Sequence, residues 1–221
     1  MTSILFAKGH GTGNDFVILP DANAEVDLAP WQVRALCDRR TGIGGDGVIR
    51  VVPAAKDPAG VEHAEAAEWF MDYRNADGSL AQMCGNGARV FAWYLVTEGL
   101  APPGSFSIAT RDGVKRVHVP APSGENRTRG SATVEVRLPR LGRSSSVTLG
   151  ATVLPGTAVD VGNPHVVCVV DAPLAEFDLS TAPDYDRAVF PEGVNVALIT
   201  APDAVLLDAA TVRADTGLPV T

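Results

Sequence analysis

Apolar residues along this chain come in short runs, broken by glycine, proline, asparagine and aspartate. Asp15–Leu19, Val48–Val52, Glu68–Arg74, Phe106–Thr110 and Val114–Val119 have the length and residue types of strands, and a first strand is expected at Leu5–Lys8. Two stretches follow a helical period instead. One begins at Pro30 and runs to Arg40, with Val33, Leu36 and Cys37 on one face; the other is the amphipathic segment Asn86–Thr97. Pro120–Gly130, rich in Pro, Ser, Gly, Asn and Arg, reads as a linker or long exposed loop. A second strand-rich region is expected beyond it, at Thr133–Leu138, Thr152–Val161, His165–Val170 and Val194–Thr200. The pattern predicts two domains, 1–124 and 125–221, with Ala54–Ala67 as an alanine-rich surface excursion.

Composition narrows the function. With 221 residues, 46% hydrophobic and 20% charged, the chain has enough apolar mass for a sizeable core. A formal charge of −8 should repel phosphate backbones and anionic lipid, which argues against nucleic acid or membrane surfaces as partners. No apolar run reaches membrane-spanning length, and Ile4–Ala7 is cut off by Lys8, too short for a signal-peptide core. A cytoplasmic location is expected, where the three cysteines stay reduced.

One of those cysteines stands apart. Cys37 falls on the apolar helix face, and Cys168 lies inside the strand-like run Val166–Val170. Cys84, in Met83-Cys84-Gly85-Asn86-Gly87, sits at the mouth of the second helix with small residues after it. Unpaired N–H groups and the helix dipole there favour a negative ligand, so the sulfur is expected to lean toward thiolate and to act as base or nucleophile.

Other motifs exclude chemistry. Gly42-Ile43-Gly44-Gly45-Asp46-Gly47 has the letters of a dinucleotide fingerprint but follows a helix and precedes a strand, the reverse of a phosphate cradle. It is expected to be a helix C-cap and turn. His10, His63, His118 and His165 lack metal-ligand spacing, so no metal site is expected. Asparagine recurs at strand ends: Asn14, Asn75, Asn86 beside the thiol, Asn163 and Asn195. Each alone is a common turn former. Together they suit a zwitterionic amino acid, because an amide can donate to a carboxylate and accept from an ammonium.

Six blocks then form a pattern. They are Lys8–Val17, Arg39–Gly47, Tyr73–Ser79, Met83–Val90, Gly162–His165 and Gly193–Val196, and in that order the chain resembles the diaminopimelate epimerase family. The resemblance implies an α/β (α+β) fold of two similar domains, each a strand-rich barrel-like sheet around a central helix, with the active site in the cleft between them. It implies epimerisation of LL-diaminopimelate to meso-diaminopimelate, on the route to lysine and peptidoglycan, without a cofactor. Cys84 would be one of two catalytic thiols. Asn14, Asn75, Gly85, Asn86, Asn163 and Asn195 would hold the substrate, and His165 would help set thiol ionisation. The implied partner is the small-molecule substrate, with a homodimer left open. At Gly47 many family members carry a substrate-touching glutamine, a contact that glycine cannot make.

The resemblance ends at Val196. The family's second thiol, in a Cys-Gly-Thr-Gly turn, and its carboxylate-pairing arginine have no counterpart in Ala197–Thr221. This predicts an incomplete second domain, through truncation or a frame shift beyond about Asp208, and leaves full two-thiol activity in question. Two alternatives stay open. One is another cofactor-independent racemase or dehydratase of the same fold, although those usually carry histidine where Asn86 stands. The other is a non-catalytic fragment that binds ligand or partner.

Overall fold

The computed structural model describes residues 4–122, 128–136, 138–161, 164–178, 182–191 and 193–200. The chain divides into two compact units, Met1–Val136 and Arg137–Thr221.

The first unit is a mixed seven-stranded sheet in sequential order. Strands β1 (Ala7–Gly11) and β2 (Asn14–Pro20) form a hairpin whose turn is Thr12 and Gly13, with φ of 50° and 86°. Two consecutive positive φ values give the twist that a two-residue hairpin needs, and they fix Gly11 opposite Asn14. β1 therefore runs on through His10 and Gly11, beyond the expected end at Lys8. Helix α1 (Pro30–Cys37) leads to β3 (Gly47–Pro53), parallel to β2, and β4 (Trp69–Asn75) returns antiparallel to β3. Helix α2 (Gly85–Thr97) follows, then β5 (Gly104–Thr110), β6 (Gly113–Val119) and the short β7 (Thr133–Val134).

Both faces of the central strands are covered. Phe16 and Ile18 join Ile49, Val51, Met71 and Ile108 around Ala88, Phe91, Ala92 and Leu95 of α2. The alternate residues Val17, Leu19 and Val48 face Val33 and Cys37 of α1. Burial on two faces explains why these strands read as unbroken apolar runs. One buried ionic cluster ties the strands on the α1 side. Arg50 of β3 donates to Asp21 (2.7 Å), Asp57 (2.8 Å) and Asp72 (3.1 Å), and Asp72 also accepts from Arg74 (3.2 Å) and Arg111 (2.5 Å).

Helix α1 stops three residues before the expected Arg40. Asp38 Oδ1 accepts the N–H groups of Arg40 (2.8 Å) and Thr41 (2.7 Å), a side-chain turn that competes with further helix. The glycine block then folds onto the helix end. The N–H of Gly42 bonds the carbonyl of Asp38, those of Ile43 and Gly44 bond Leu36, and that of Gly45 bonds Cys37. A Cβ at Gly42 would lie 2.0 Å from the Ala35 carbonyl oxygen, so only glycine fits there. The block is a helix C-cap, as its context predicts. Ala54–Ala67 is less superficial than expected, with Ala54 and Ala67 buried.

The second unit holds a five-stranded sheet in the order β11-β8-β9-β10-β12. Its strands are β8 (Arg140–Leu149), β9 (Thr152–Asp160), β10 (Pro164–Val170), β11 (Asp184–Tyr185) and β12 (Asn195–Thr200). Val147, Leu149, Leu154, Val166, Cys168, Val170 and Phe190 form its core. Neither β8 nor β11 was expected. Most of β8 is exposed and polar around Arg143–Ser146, so it lacks the apolar run that signals a strand. Thr133 and Val134 pair with His118 and Val117, in the first sheet. The expected boundary near residue 124 lies outside the described residues, as does the segment 201–221. Among the described residues, no helix is long and apolar enough to cross a membrane.

Candidate active site

Cys84 caps α2. Its backbone is extended (φ −135°, ψ 116°), and its Sγ accepts the N–H of Gly87 at 3.4 Å. The sulfur is half-buried beside the main core, whereas Cys37 and Cys168 lie inside their cores.

The hairpin brings Asn14 to the other side of this sulfur. Asn14 opens β2 directly after the turn, and its Oδ1 accepts from Cys84 Sγ at 3.7 Å. Its Nδ2 donates to Asp46 Oδ2 at 2.7 Å. Asp46 precedes β3 and also accepts the Asp15 N–H (3.0 Å) and Arg39 Nη2 (2.8 Å). Arg39 and then Lys8 hold the Asp15 carboxyl well below the usual carboxylate range.

Asn86 lies in the first turn of α2. Its Oδ1 accepts from the Thr12 hydroxyl (2.9 Å) and from Arg89, which also donates to Thr12 at 3.0 Å. These bonds tie the hairpin turn to the helix start. Gly85 is exposed, with open space where a Cβ would project.

Asn75 ends β4. Its Oδ1 accepts from the Tyr73 hydroxyl at 2.9 Å, and its Nδ2 donates to Ser79 Oγ at 3.1 Å. Tyr73 is buried edge-on to Phe16, with ring centroids 5.7 Å apart. Burial first, and then the neighbouring Cys84, push its phenol well above the usual range, so it stays a neutral donor. Gly47 stands opposite Asn75, and a Cβ there would lie 2.6 Å from the Tyr73 ring and 2.5 Å from the Arg74 carbonyl. The tyrosine fills the space a side chain at 47 would need.

The ionisation of Cys84 corrects the sequence reading. Burial pushes its thiol up, and the N–H groups of Gly87 and Asn86 and the charge of Arg89 offset this only in part. Asp46 pushes it further up. The sulfur is a thiol at neutral pH, not the thiolate expected from the helix end alone, because desolvation outweighs the few dipoles aimed at it. Burial raises Cys37 and Cys168 as well.

The structure thus gathers Cys84, Asn14, Gly85, Asn86 and, through Tyr73, Asn75 in the first unit. In the second unit, His165 and Asn195 are paired across β10 and β12, and Asn195 Nδ2 donates to the Pro164 carbonyl at 3.3 Å. Asn163 lies outside the described residues. Asp46, Arg39 and Tyr73 sit inside the motif blocks but had no role from sequence; Asp46 and Arg39 meet partners on β2, and Tyr73 reaches Asn75 two residues along β4. Among the described residues, no three His, Cys, Asp or Glu side chains gather as a metal site. A cavity of about 490 Å³ in the second unit, lined by Arg140, Arg143, Asp160 and Phe190 among others, offers no thiol or imidazole.

Comparison with known proteins fits this geometry. Residues 6–134 match the family model described as Diaminopimelate epimerase. The chain is 46% identical over 210 residues to the diaminopimelate epimerase of Rhodococcus erythropolis, covering 90% of this chain and 71% of that one. Against the enzyme of Thermobifida fusca it is 50% identical over 195 residues, covering 86% and 69%. Among solved structures, a hydroxyproline epimerase from Agrobacterium vitis matches with a TM-score of 0.52 at 13% identity, over 76% of this chain and 52% of that one. A probable proline racemase from Agrobacterium radiobacter K84 gives 0.54 at 12%, with the same coverage. At such identities these two show the fold alone, α+β with barrel-like sheets. The sequence matches run through the hairpin, the glycine block and the Cys84 helix start, and they place this chain in the diaminopimelate epimerase family, an isomerase.

Proposed function

We propose that this chain takes part in cofactor-independent epimerisation of diaminopimelate, with Cys84 as one of two proton-transfer groups at the α-carbon. The observation that carries this reading is the half-buried Cys84 thiol at a helix N-terminus, flanked by an oriented amide. An amino-acid α-proton is very weakly acidic, so inversion needs a base on one face of the carbon and an acid on the other. In the resting protein Cys84 is placed for the acid role: its sulfur stands in donating distance of the Asn14 carbonyl oxygen, and burial favours the protonated form.

A base on the far face removes the α-proton and leaves the electron pair on carbon. Cys84 S–H then delivers its proton to the near face, inverting the centre, and the sulfur is left as thiolate. The N–H groups of Gly87 and Asn86 are aimed at that sulfur, and with the nearby charge of Arg89 they stabilise its anion after transfer. In the reverse direction the same thiolate is the base.

The substrate's carboxylate and ammonium require groups that donate and accept without net charge. Asn14, Asn75 and Asn86 are amides whose orientation is already set by protein partners, which lowers the cost of ordering them on binding. Gly85 leaves room for substrate to approach the helix N–H groups. Asn163 and Asn195 are proposed as further substrate-holding groups, and His165 as a group that helps set thiol ionisation, on the family resemblance.

The test is incubation of the chain with LL-diaminopimelate in heavy water, followed by mass spectrometry and chiral separation. Deuterium should enter the α-position, and Cys84→Ser should cut incorporation by about 100-fold or more, within the usual range for a positioned proton donor. Label that persists unchanged in Cys84→Ser, or no label with the unaltered chain, would overturn the proposal.

A further inference from the structure

We propose that Asp46 is a positioning residue that locks the Asn14 amide with its carbonyl toward Cys84, and so keeps the sulfur in its hydrogen-donating state. The inference rests on the reading of Cys84 as the acid of the site, and it adds a residue that fixes the starting protonation state.

Which atoms can donate fixes the orientation of the amide. Asp46 Oδ2 lies 2.7 Å from Asn14 Nδ2. A carboxylate oxygen only accepts, so the NH₂ end of the amide must face it. The carbonyl end is then turned to the sulfur, where Oδ1 stands 3.7 Å from Cys84 Sγ. An amide oxygen also only accepts, so the sulfur must supply the hydrogen. A thiol satisfies this arrangement, since Sγ also accepts the N–H of Gly87 on its other side. A thiolate would meet the amide oxygen acceptor to acceptor. The amide could relieve that only by flipping, which would set its carbonyl against the Asp46 carboxylate.

Asp46 is itself held firmly. Its N–H donates to the Asp15 carbonyl at 2.8 Å, its carbonyl accepts the Ala76 N–H at 3.1 Å, and its second carboxylate oxygen takes Arg39 at 2.8 Å. The anchor therefore spans β2, the end of α1 and the loop after β4. Cys84 also faces Arg89 from its own helix and Tyr73 from β4. Asp46 shares Arg39 with Asp15, which in turn pairs with Lys8 of β1. Arg89 favours the thiolate, and Asp46 opposes it.

A charge effect through space and an effect relayed by the amide make different predictions. The experiment is the pH dependence of iodoacetamide alkylation of the full chain, read peptide by peptide so that Cys84 is separated from Cys37 and Cys168. Asp46→Asn should lower the Cys84 midpoint by about one pH unit, roughly a tenfold faster reaction below the midpoint. Asn14→Ala should lower it as well, by removing the acceptor. With both changes, Asp46→Asn should add less than about a third of its effect in the Asn14 background, because coupled groups are non-additive. Full additivity, or no shift in either single variant, would overturn the proposal. If Asp46→Asn fails to fold by circular dichroism, an unshifted Asn14→Ala alone overturns it. Alkylation needs no turnover, so its outcome is separate from that of deuterium exchange, which tests the proposed reaction.

Discussion

Tyr73 shows how one side chain can prepare a neighbour. Its hydroxyl reaches the Asn75 carbonyl oxygen at 2.9 Å, leaving one Nδ2 hydrogen of Asn75 beyond the bond to Ser79. Tyr73→Phe keeps the ring that fills the space beside Gly47 and removes only this donor. We expect a loss of about 0.5–1.5 kcal/mol in denaturant unfolding. We also expect a several-fold rise in KM for diaminopimelate with kcat little changed, since the amide would still be present but less fixed. An unchanged KM would show that Asn75 needs no such support. Tyr73 and Asn75 lie two apart on β4 and so share a face, but the space that Gly47 leaves for the ring depends on the register of β3 against β4. The Cys84 position at a helix mouth was legible, because capping is local. Its protonation was not, because that is decided by burial and by groups contributed from distant parts of the chain.

Strands β3 and β4 carry a second, buried arrangement with a different purpose. Asp72 is 1% exposed and accepts from Arg50, Arg74 and Arg111, joining β3, β4 and the turn after β5. Burial alone would raise its pKa, but hydrogen bonds from Arg74 and Arg111 and the charges behind them hold it below the usual carboxylate range. Asp72→Ala would leave cationic partners uncompensated and should cost about 3–5 kcal/mol in urea unfolding. A loss below about 1 kcal/mol would mean that water enters and replaces the carboxylate. Helices and strands of this unit were legible because apolar faces repeat with the right period. Helix α1 ends short of the expected Arg40 because Asp38 supplies a competing turn, and β8 carries no apolar signature because its residues are mostly exposed. Periodicity reports burial, and an exposed strand gives it nothing to report.

Across the first unit, Asp15, Asp21, Asp38, Asp72 and Asp77 all titrate below their ordinary value of 3.8. A carboxyl that is more acidic folded than unfolded binds fewer protons in the native state. Its stabilisation is complete above the unfolded value and is lost as pH falls through the folded one. Thermal midpoints should therefore hold from neutral pH to about 5 and drop steeply below about 4. A midpoint that stays level to pH 3 would show that these pairings add no net stability. The raised cysteines act in the opposite direction: the native state retains their protons longer, so this contribution to stability falls as pH climbs through the alkaline range.

The hydrogen bond from Cys84 to Asn14 also bears on how this protein can be attacked. Peroxide and soft electrophiles consume sulfur in proportion to its anionic fraction, and here that fraction is small until something supplies compensating charge. The unliganded protein should therefore survive oxidants and warhead compounds that quickly silence exposed, acidic thiols. A covalent drug against this centre would do better to bring its own cation, or to mimic the flattened carbanion, than to rely on a stronger electrophile.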